Sequence, residues 1–271
     1  MQPSLLAPEP AWLPELLAAL SEYEVLSKPQ MAALLQRDRT ELDPVLATLV
    51  AKGQVGKLVG DVARETGHRL TRKGVRLLAE LTGNEPGPLP AIRATTMLGH
   101  ELLKNDLAVV LRLLHAASVV DVLRWVTARD QLADAVRVLR GDRSERIALV
   151  ADAFVAIRTP SGPTALLVEI DMNTVSLVRM MKRYEGYAAW WRGGGPERRF
   201  GVRSLRVLTI TNHPQRLARL REAAAEVADS GSHGLFWFAT GDVLDLARPE
   251  RFLEAQFVTA APDATARGLL N

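Results

Sequence analysis

The most constraining feature of the chain is the segment LLVEIDMNT, residues 166–174. It has the apolar density of a buried strand, yet it carries Glu169 and Asp171 two positions apart. Successive side chains of a strand point to opposite faces, so these two carboxylates share one face. Burying a carboxylate without a partner is costly or forces it to take up a proton. The pair therefore requires a compensating group, and a bound cation is one candidate.

The composition is that of a globular protein with two domains. The chain has 271 residues, 48% of them hydrophobic, which is ample for two cores. It has no cysteine, which excludes disulfides, thiolate zinc sites and cysteine nucleophiles. No basic residue precedes Lys28, and no apolar run approaches the roughly 20 residues of a membrane helix. We therefore expect a cytoplasmic protein that is not associated with a membrane.

Basic residues cluster in two stretches, although the net charge is only +3. Residues 52–76 contain seven basic and two acidic side chains, a local charge of +5. A second run extends from Arg198 to Arg221. Clusters of this kind are the electrostatic footprint of phosphate binding, and the alternative is a solvated surface.

Residues 1–82 predict three helices, a β-hairpin and a fourth helix. Ser27 with Gln30 and Thr40 with Asp43 have the spacing of capping boxes, and Thr71 is placed to cap the last helix. This is the order of a winged helix-turn-helix, in which the third helix approaches the major groove and the hairpin contacts phosphate. The alternative is a protein-interaction module. The predicted DNA-binding residues are Arg39, Lys52, Lys57, Arg69, Arg72 and Lys73.

The segment GNEPGPLPA, residues 83–91, predicts a linker, because three prolines and two glycines cannot continue a helix. Residues 92–258 then predict a mixed α/β domain in the order α, β, β, α, β, α, β. A long helix begins near Leu98, and Ser118 is expected to cap another helix. RIALVADAFVAI and TALLVEID predict two strands joined by a hairpin turn, and the last two strands predict βαβ crossovers. Residues 259–271 predict a mobile tail.

This order, with GHELLKND, ADAFV, LLVEID, KRYEGY, RVLTITN and FWFAT in it, resembles the replication-relaxation family of bacterial and plasmid proteins. The resemblance covers nearly the whole chain, including the winged helix. It implies that the C-terminal domain is related to the restriction-endonuclease-like fold, the PD-(D/E)xK superfamily. The implied fold class is therefore α/β: a winged helix-turn-helix followed by a mixed sheet flanked by helices.

The resemblance also implies a site for Mg²⁺ or Mn²⁺, because hard divalent cations prefer oxygen ligands and activate water for phosphodiester attack. Asp152 matches the acidic residue at the start of the central hairpin, and Glu169 matches the one on the following strand. Asp171 stands where the family pattern has a lysine, and Lys182 resembles a relocated lysine. The implied catalytic residues are Asp152, Glu169 and Lys182, and the implied metal ligands are Asp152, Glu169 and Asp171.

Two local alternatives account for the same carboxylates without a metal. Asp171 could cap a helix beginning near Thr174, and Glu169 could pair with Arg179 or Lys182. GGG at residues 193–195 is not followed by the Lys-Ser/Thr of a phosphate loop, so no nucleotide cofactor is expected.

The sequence thus indicates a DNA-binding protein of replication, mobile-element or repair type, with double-stranded DNA as its partner. Its nuclease-like domain would cleave DNA with Mg²⁺. The alternative is a non-catalytic transcription or replication regulator, in which that domain survives as a platform for DNA binding or homodimerisation. The sequence leaves open whether the protein is an enzyme.

Overall fold

The structure, a computed structural model, describes residues 10–60, 66–89, 97–127, 132–140, 142–229, 231–254, 256–261 and 263–270. The chain divides into two compact units, Met1–Asn105 and Asp106–Asn271. Residues 90–91 of the predicted linker lie outside the described residues, and the domain boundary at 83–91 stays a prediction. None of the described helices is long and apolar enough to cross a membrane.

The first unit contains the predicted succession of three helices, a hairpin and a helix. Its apolar core is formed mainly by leucines from the helices, among them Leu16, Leu20 and Leu46. The two strands pair antiparallel. The elements are α1 (Leu13–Glu22), α2 (Lys28–Leu35), α3 (Arg39–Ala51), β1 (Val55–Val59), β2 (Thr66–Leu70) and α4 (Arg72–Thr82).

Two of the three helix caps predicted for the first unit are confirmed. The Ser27 hydroxyl accepts from the backbone N–H of Gln30, whose side chain accepts in return from the N–H of Ser27. The Thr71 hydroxyl accepts from the N–H of Gly74.

The predicted Thr40 cap was wrong, because α3 begins at Arg39, two residues earlier than that cap would place it, and is capped by Asp38. The Asp38 carboxylate accepts from the N–H of Thr40 at 2.8 Å, and Glu41 makes the reciprocal contact. Glu41 is long enough to reach back to the cap, whereas Asp43 forms an ion pair with Lys28.

The second unit is a six-stranded mixed sheet with helices packed against it, which confirms the predicted α/β class. Its strand order is β10-β9-β8-β7-β6-β3, and β7, β8 and β9 run parallel. A long helix, α5 (Leu98–Ala116), contains the division between the units. The other elements are β3 (Val122–Val126), β4 (Asp134–Arg140), β5 (Arg143–Leu149), β6 (Ala153–Thr159), β7 (Gly162–Asp171), α6 (Leu177–Arg192), α7 (Gly195–Phe200), β8 (Ser204–Thr211), α8 (Pro214–Val227), β9 (Phe236–Thr240) and β10 (Val258–Thr259).

The sequence misassigned the segment before the central hairpin. Ser118 does not cap a helix: its φ of 56° is left-handed, whereas a capping residue is extended. The residues that follow it form β3, an edge strand paired with β6. RIALVADAFVAI is also not one strand, because it is divided at Val150–Asp152. Its first half, β5, pairs with β4 in a separate hairpin that the sequence did not predict.

The C-terminal segment, predicted to be a mobile tail, makes packing contacts in the structure. Phe257 and Arg267 exchange backbone hydrogen bonds of 3.1 and 2.8 Å, and Leu269 is buried. The last strand, β10, pairs with β9 at the edge of the sheet.

Helix α6 covers the sheet face on which the acidic pair lies. Its buried stripe consists of Met180, Tyr184, Gly186, Tyr187, Ala188 and Trp190. Tyr184 makes edge contacts with the rings of Phe236 and Phe238 on β9. Side chains on the same stripe are therefore directed toward the carboxylates of β7.

Candidate functional site

The β6–β7 hairpin places Asp152 beside Glu169. The N–H of Asp152 donates to the carbonyl of Val168, and its carboxylate accepts from the N–H of Ile170, both at 2.8 Å. These contacts bind Asp152 to the residues on either side of Glu169. The structure thus brings together the first two residues of the predicted site, whose catalytic role stays a prediction.

Glu169 is buried and is held by two side chains of α6. One of its oxygens accepts from the hydroxyl of Tyr187, and the other accepts from Nη1 of Arg183 at 2.7 Å. Arg183 and Tyr187 are four residues apart, so they project from one face of the helix. The Arg183 side chain is 37% exposed while that of Glu169 is only 2% exposed. The ion pair therefore spans the edge of the core.

Burial is the largest influence on the protonation of Glu169. Desolvation and then the nearby Asp152 charge raise the pKa of Glu169, while Arg183 and Tyr187 act in the opposite direction. The balance raises this pKa to about 7. Burial also raises the pKa of Tyr187 well above its usual range, so its hydroxyl stays a donor to the carboxylate.

Asp171 is paired with Arg216 of α8. Nε and Nη2 of Arg216 each donate to one carboxylate oxygen of Asp171 at 3.0 Å, and both side chains are almost fully buried. Asp171 also accepts from the N–H of Asn173 at 2.9 Å. This bidentate geometry is the strongest arrangement for an arginine and a carboxylate.

The predicted capping role of Asp171 was wrong. Helix α6 begins at Leu177, not near Thr174, and its cap is Ser176, whose hydroxyl accepts from the N–H of Arg179. Asp171 instead stabilises the turn between β7 and the helix through its contact with Asn173.

Lys182, the predicted relocated lysine, is bound to Glu145 of β5 at 2.9 Å. It lies on the part of α6 that packs against β5: a Cβ added at Gly186, one turn later, would lie 2.8 Å from Ile147 and Leu149. The partner of Glu169 is therefore Arg183, and neither Arg179 nor Lys182 makes that contact. The reason is helical geometry: Lys182 projects from a different side of the helix, and Arg179, on the same face as Arg183, lies one full turn earlier.

These carboxylates do not fit a metal site formed by all three of them. Both oxygens of Asp171 are taken by Arg216, and each oxygen of Glu169 already accepts from Tyr187 or Arg183. A hard cation beside two arginines would also meet their positive charge. Within the part of the chain that the structure describes, no group of three or more acidic or histidine side chains is arranged to hold a metal.

The compensating groups that the buried pair Glu169 and Asp171 requires are thus two arginines. Glu169 and Asp171 share a face because a different helix supplies each of them with a guanidinium. Sequence reasoning missed Arg183, Tyr187 and Arg216. The spacing of Arg183 and Tyr187 in KRYEGY was a usable signal for the first two, whereas Arg216 carried no local signal.

The predicted DNA-binding residues fall into one group and two outliers. Lys73 lies near the turn that follows Lys52, because its Nζ would be 3.9 Å from a Cβ at Gly53. Arg69 packs along Gly56, its register partner on β1. We define the α4 basic patch as Lys52, Arg69, Arg72 and Lys73.

The two outliers are Lys57 and Arg39. Lys57 pairs with His68 and so points to the other face of the hairpin from Arg69. Arg39 lies at the opposite end of α3 from Lys52, about 20 Å away along the helix axis. Residues 61–65, including Arg64, lie outside the described residues.

Three of the seven arginines in the second basic run make structural contacts. Arg216 binds Asp171, Arg221 donates to the carbonyls of Thr259 and Ala261, and Arg206 stacks on Trp237. These side chains hold the unit together, so the run does not act as one surface.

Comparison with known proteins gave one family match. The family model described as replication-relaxation matches residues 17–205. No curated protein and no solved structure matches the chain.

The buried Asp171–Arg216 pair generates a stability prediction. Replacing Arg216→Met leaves Asp171 buried without a countercharge, so we expect the free energy of unfolding to fall by about 3–5 kcal/mol. Urea unfolding followed by circular dichroism measures this. Arg203→Met is the control, because the Arg203–Glu197 pair is exposed and is expected to contribute at most about 1 kcal/mol. Equal losses in the two variants would contradict the assignment.

The raised pKa of Glu169 generates a pH prediction. Because the pKa of Glu169 is about 7 in the folded protein and its ordinary value is 4.5, the native state binds one more proton than the unfolded state between these two pH values. The stability that this proton contributes is present below pH 4.5 and is lost as the pH rises to 7. Measured against the Glu169→Gln variant, the free energy of unfolding of the wild type should fall by up to about 3 kcal/mol across this pH window. Above the window it should change little.

Unfolding curves at several pH values measure this difference. Glu222→Gln, at an exposed position of α8, is the control. Its free energy of unfolding should differ from that of the wild type by the same amount at every pH. A constant difference for Glu169→Gln as well would show that the buried carboxylate is ionised throughout.

Proposed function

The chain therefore belongs to the replication-relaxation family, and on that premise we propose that it binds double-stranded DNA in replication or mobile-element maintenance. The single observation that supports DNA binding best is the α4 basic patch on the first unit. Its four cations come from the end of α3, from β2 and from the first turn of α4.

The position of Arg72 and Lys73 is unfavourable for the isolated protein. Both are exposed in the first turn of α4, which contains no acidic residue. The positive end of a helix dipole favours carboxylates there and disfavours cations by about 0.3–1 kcal/mol each. A phosphate group would reverse this balance, because it binds both the cations and the free N–H groups of the helix terminus.

The contacts are expected to be with phosphate rather than with base edges. The exposed side chains of α3 include Glu41 and Asp43, which are already paired with Arg37 and Lys28. Its remaining exposed residues include Ala47, Thr48 and Val50. Such a surface offers few of the donors that read the major groove. The proposed binding is therefore only weakly sequence-specific.

We infer further that the acidic pair of the second unit is structural. Each carboxylate has an arginine, and the position of the family lysine is occupied by an aspartate that is itself ion-paired. This arrangement supports a sheet retained as a scaffold, and thus the non-catalytic alternative.

A second candidate, Mg²⁺- or Mn²⁺-dependent DNA cleavage, is favoured by one observation. Asp152 and Glu169 lie side by side across the β6–β7 hairpin, as the family pattern requires. The candidate is the weaker one, because Glu169 is already bound by Arg183 and Tyr187, and Lys182 by Glu145.

The DNA-binding proposal predicts opposite effects of one variant on affinity and on stability. Arg72→Glu with Lys73→Glu should weaken binding to any duplex by at least about tenfold and reduce the slope of log K against log salt by about 2. The same variant should have an equal or higher melting temperature, because glutamates favour a helix N-terminus. Fluorescence anisotropy with a labelled duplex over a salt series measures the first effect, and a thermal melt the second.

The matched control is Lys28→Glu with Arg37→Glu, which changes the net charge equally at residues already paired with acids. If this control weakens binding as much as the α4 variant, only net charge matters and the patch is not the contact. Wild-type affinity that does not change with salt would rule out phosphate binding.

The scaffold proposal predicts binding without cleavage. Wild-type protein incubated with supercoiled, linear and single-stranded DNA over a Mg²⁺ and Mn²⁺ titration should leave the DNA intact, and Asp152→Asn and Glu169→Gln should bind it as the wild type does. Metal-dependent nicking that both variants abolish would instead establish the nuclease and assign the two carboxylates to it.

A further inference from the structure

The β4–β5 hairpin of the second unit forms its own two-stranded sheet, and its two faces differ sharply. The inner face packs on α6, where Ile147 and Leu149 of β5 lie against Gly186. Val136, opposite Ile147 in the register, is partly buried against the same core. The inner face therefore fixes the hairpin to the unit and leaves the outer face toward solvent.

The outer face carries two arginines directly opposite each other. Arg137 pairs in register with Arg146, and both are exposed. Among the described residues neither forms an ion pair with an acidic side chain. The other residues that alternate onto this face are Ala135, Leu139, Ser144 and Ala148, none of them acidic.

This pairing works against the stability of the isolated hairpin. Directly opposed residues of an antiparallel pair have Cβ atoms about 4.5–5.5 Å apart, and like charges at that distance are destabilising. An anion bound between the two guanidinium groups would convert the repulsion into two charge-assisted hydrogen-bond pairs.

An open groove of about 400 Å³ continues the surface alongside β4. Arg137, Arg198 and Arg199 line it, together with the side-chain-free positions Gly193 and Gly195. The one acidic lining residue, Asp134, is occupied: it accepts from the indole N–H of Trp190 at 2.9 Å and from the N–H of Ala135. Three guanidinium groups outnumber this one carboxylate, so the net charge of the groove lining is positive.

We propose that the outer face of this hairpin and the adjoining groove, together called the hairpin surface, bind the phosphodiester backbone of DNA. The inference rests on the proposed DNA-binding function and adds a second contact, on the second unit. It assigns a role to Arg137, Arg146, Arg198 and Arg199.

Phosphate is the ligand chemistry that this surface fits best. Four of its side chains are arginines, whose planar forks bind phosphate oxygens with two parallel hydrogen bonds. None of its described lining residues is an Asn or Gln, the side chains that read adenine, and we assign to its arginines contacts with the backbone only.

The test is a charge reversal of the opposed arginines, Arg137→Glu with Arg146→Glu. It should weaken duplex binding by at least about tenfold and lower the salt slope by about 2, while the melting temperature is unchanged. The milder Arg137→Gln with Arg146→Gln should weaken binding less and raise the melting temperature, because it removes the repulsion. This second variant keeps the test valid if the glutamates disturb the hairpin.

The matched control is Arg219→Glu with Arg267→Glu, two exposed arginines elsewhere in the unit. Equal weakening by the control and the hairpin variant overturns the inference, as does hairpin-variant affinity equal to that of the wild type. In the latter case a loss of binding in the α4 variant leaves the proposed function intact. Wild-type protein that binds no duplex overturns both.

Poly-glutamate of matched charge serves as a competitor. DNA should displace poly-glutamate from the hairpin surface, whereas poly-glutamate should displace bound DNA only weakly. Poly-glutamate that binds the wild type more tightly than DNA does, and loses this binding in the hairpin variant, would identify an acidic polypeptide as the partner and overturn the phosphate assignment.

Discussion

The second unit depends on the neutralisation of two carboxylates on one strand. Glu169 and Asp171 lie on β7, in the middle of the six-stranded sheet, where an uncompensated charge would be prohibitive. Arg183 supplies the first countercharge from α6, and Arg216 supplies the second from α8. The two helices also pack against each other. The ion pairs therefore tie both helices to the same strand.

The same contacts bear on function. A nuclease of the superfamily that the sequence resembles needs carboxylates with oxygens available to a cation and a lysine nearby. In this chain the two strand carboxylates bind arginines, and Lys182 binds Glu145. These charged side chains therefore bind one another and hold the sheet and helices together. Two further clusters of positive charge lie on exposed surfaces, the α4 basic patch and the hairpin surface. Arg72 and Lys73 lie in the first turn of a helix, and Arg137 and Arg146 lie directly opposite each other, so both pairs occupy electrostatically unfavourable positions for cations.

Several features followed correctly from the sequence because their causes are local. The Ser27 and Thr71 caps depend on residues within one helical turn, and both were confirmed. The parallel strands β7, β8 and β9 are continuous apolar runs separated by helices, a pattern that predicts βαβ crossovers. Errors arose where local signals compete. Asp38 and Thr40 both suit a cap. The segment Val122–Val126 is also compatible with a helix, but it forms the strand β3 because it pairs with β6.

The sequence by itself determined the fold class, most of the elements, and the fact that Glu169 and Asp171 share a buried face and need partners. It also placed Asp152 beside Glu169 through the resemblance of the hairpin. Only the tertiary structure decided which cations meet those carboxylates. Arg216 is 45 residues from Asp171, and nothing in the local pattern distinguishes it from the other arginines of its run. Element type depends on periodicity and caps within a few residues. The partner of a buried charge depends on which helix packs over which strand, and that is set by contacts distant in the chain.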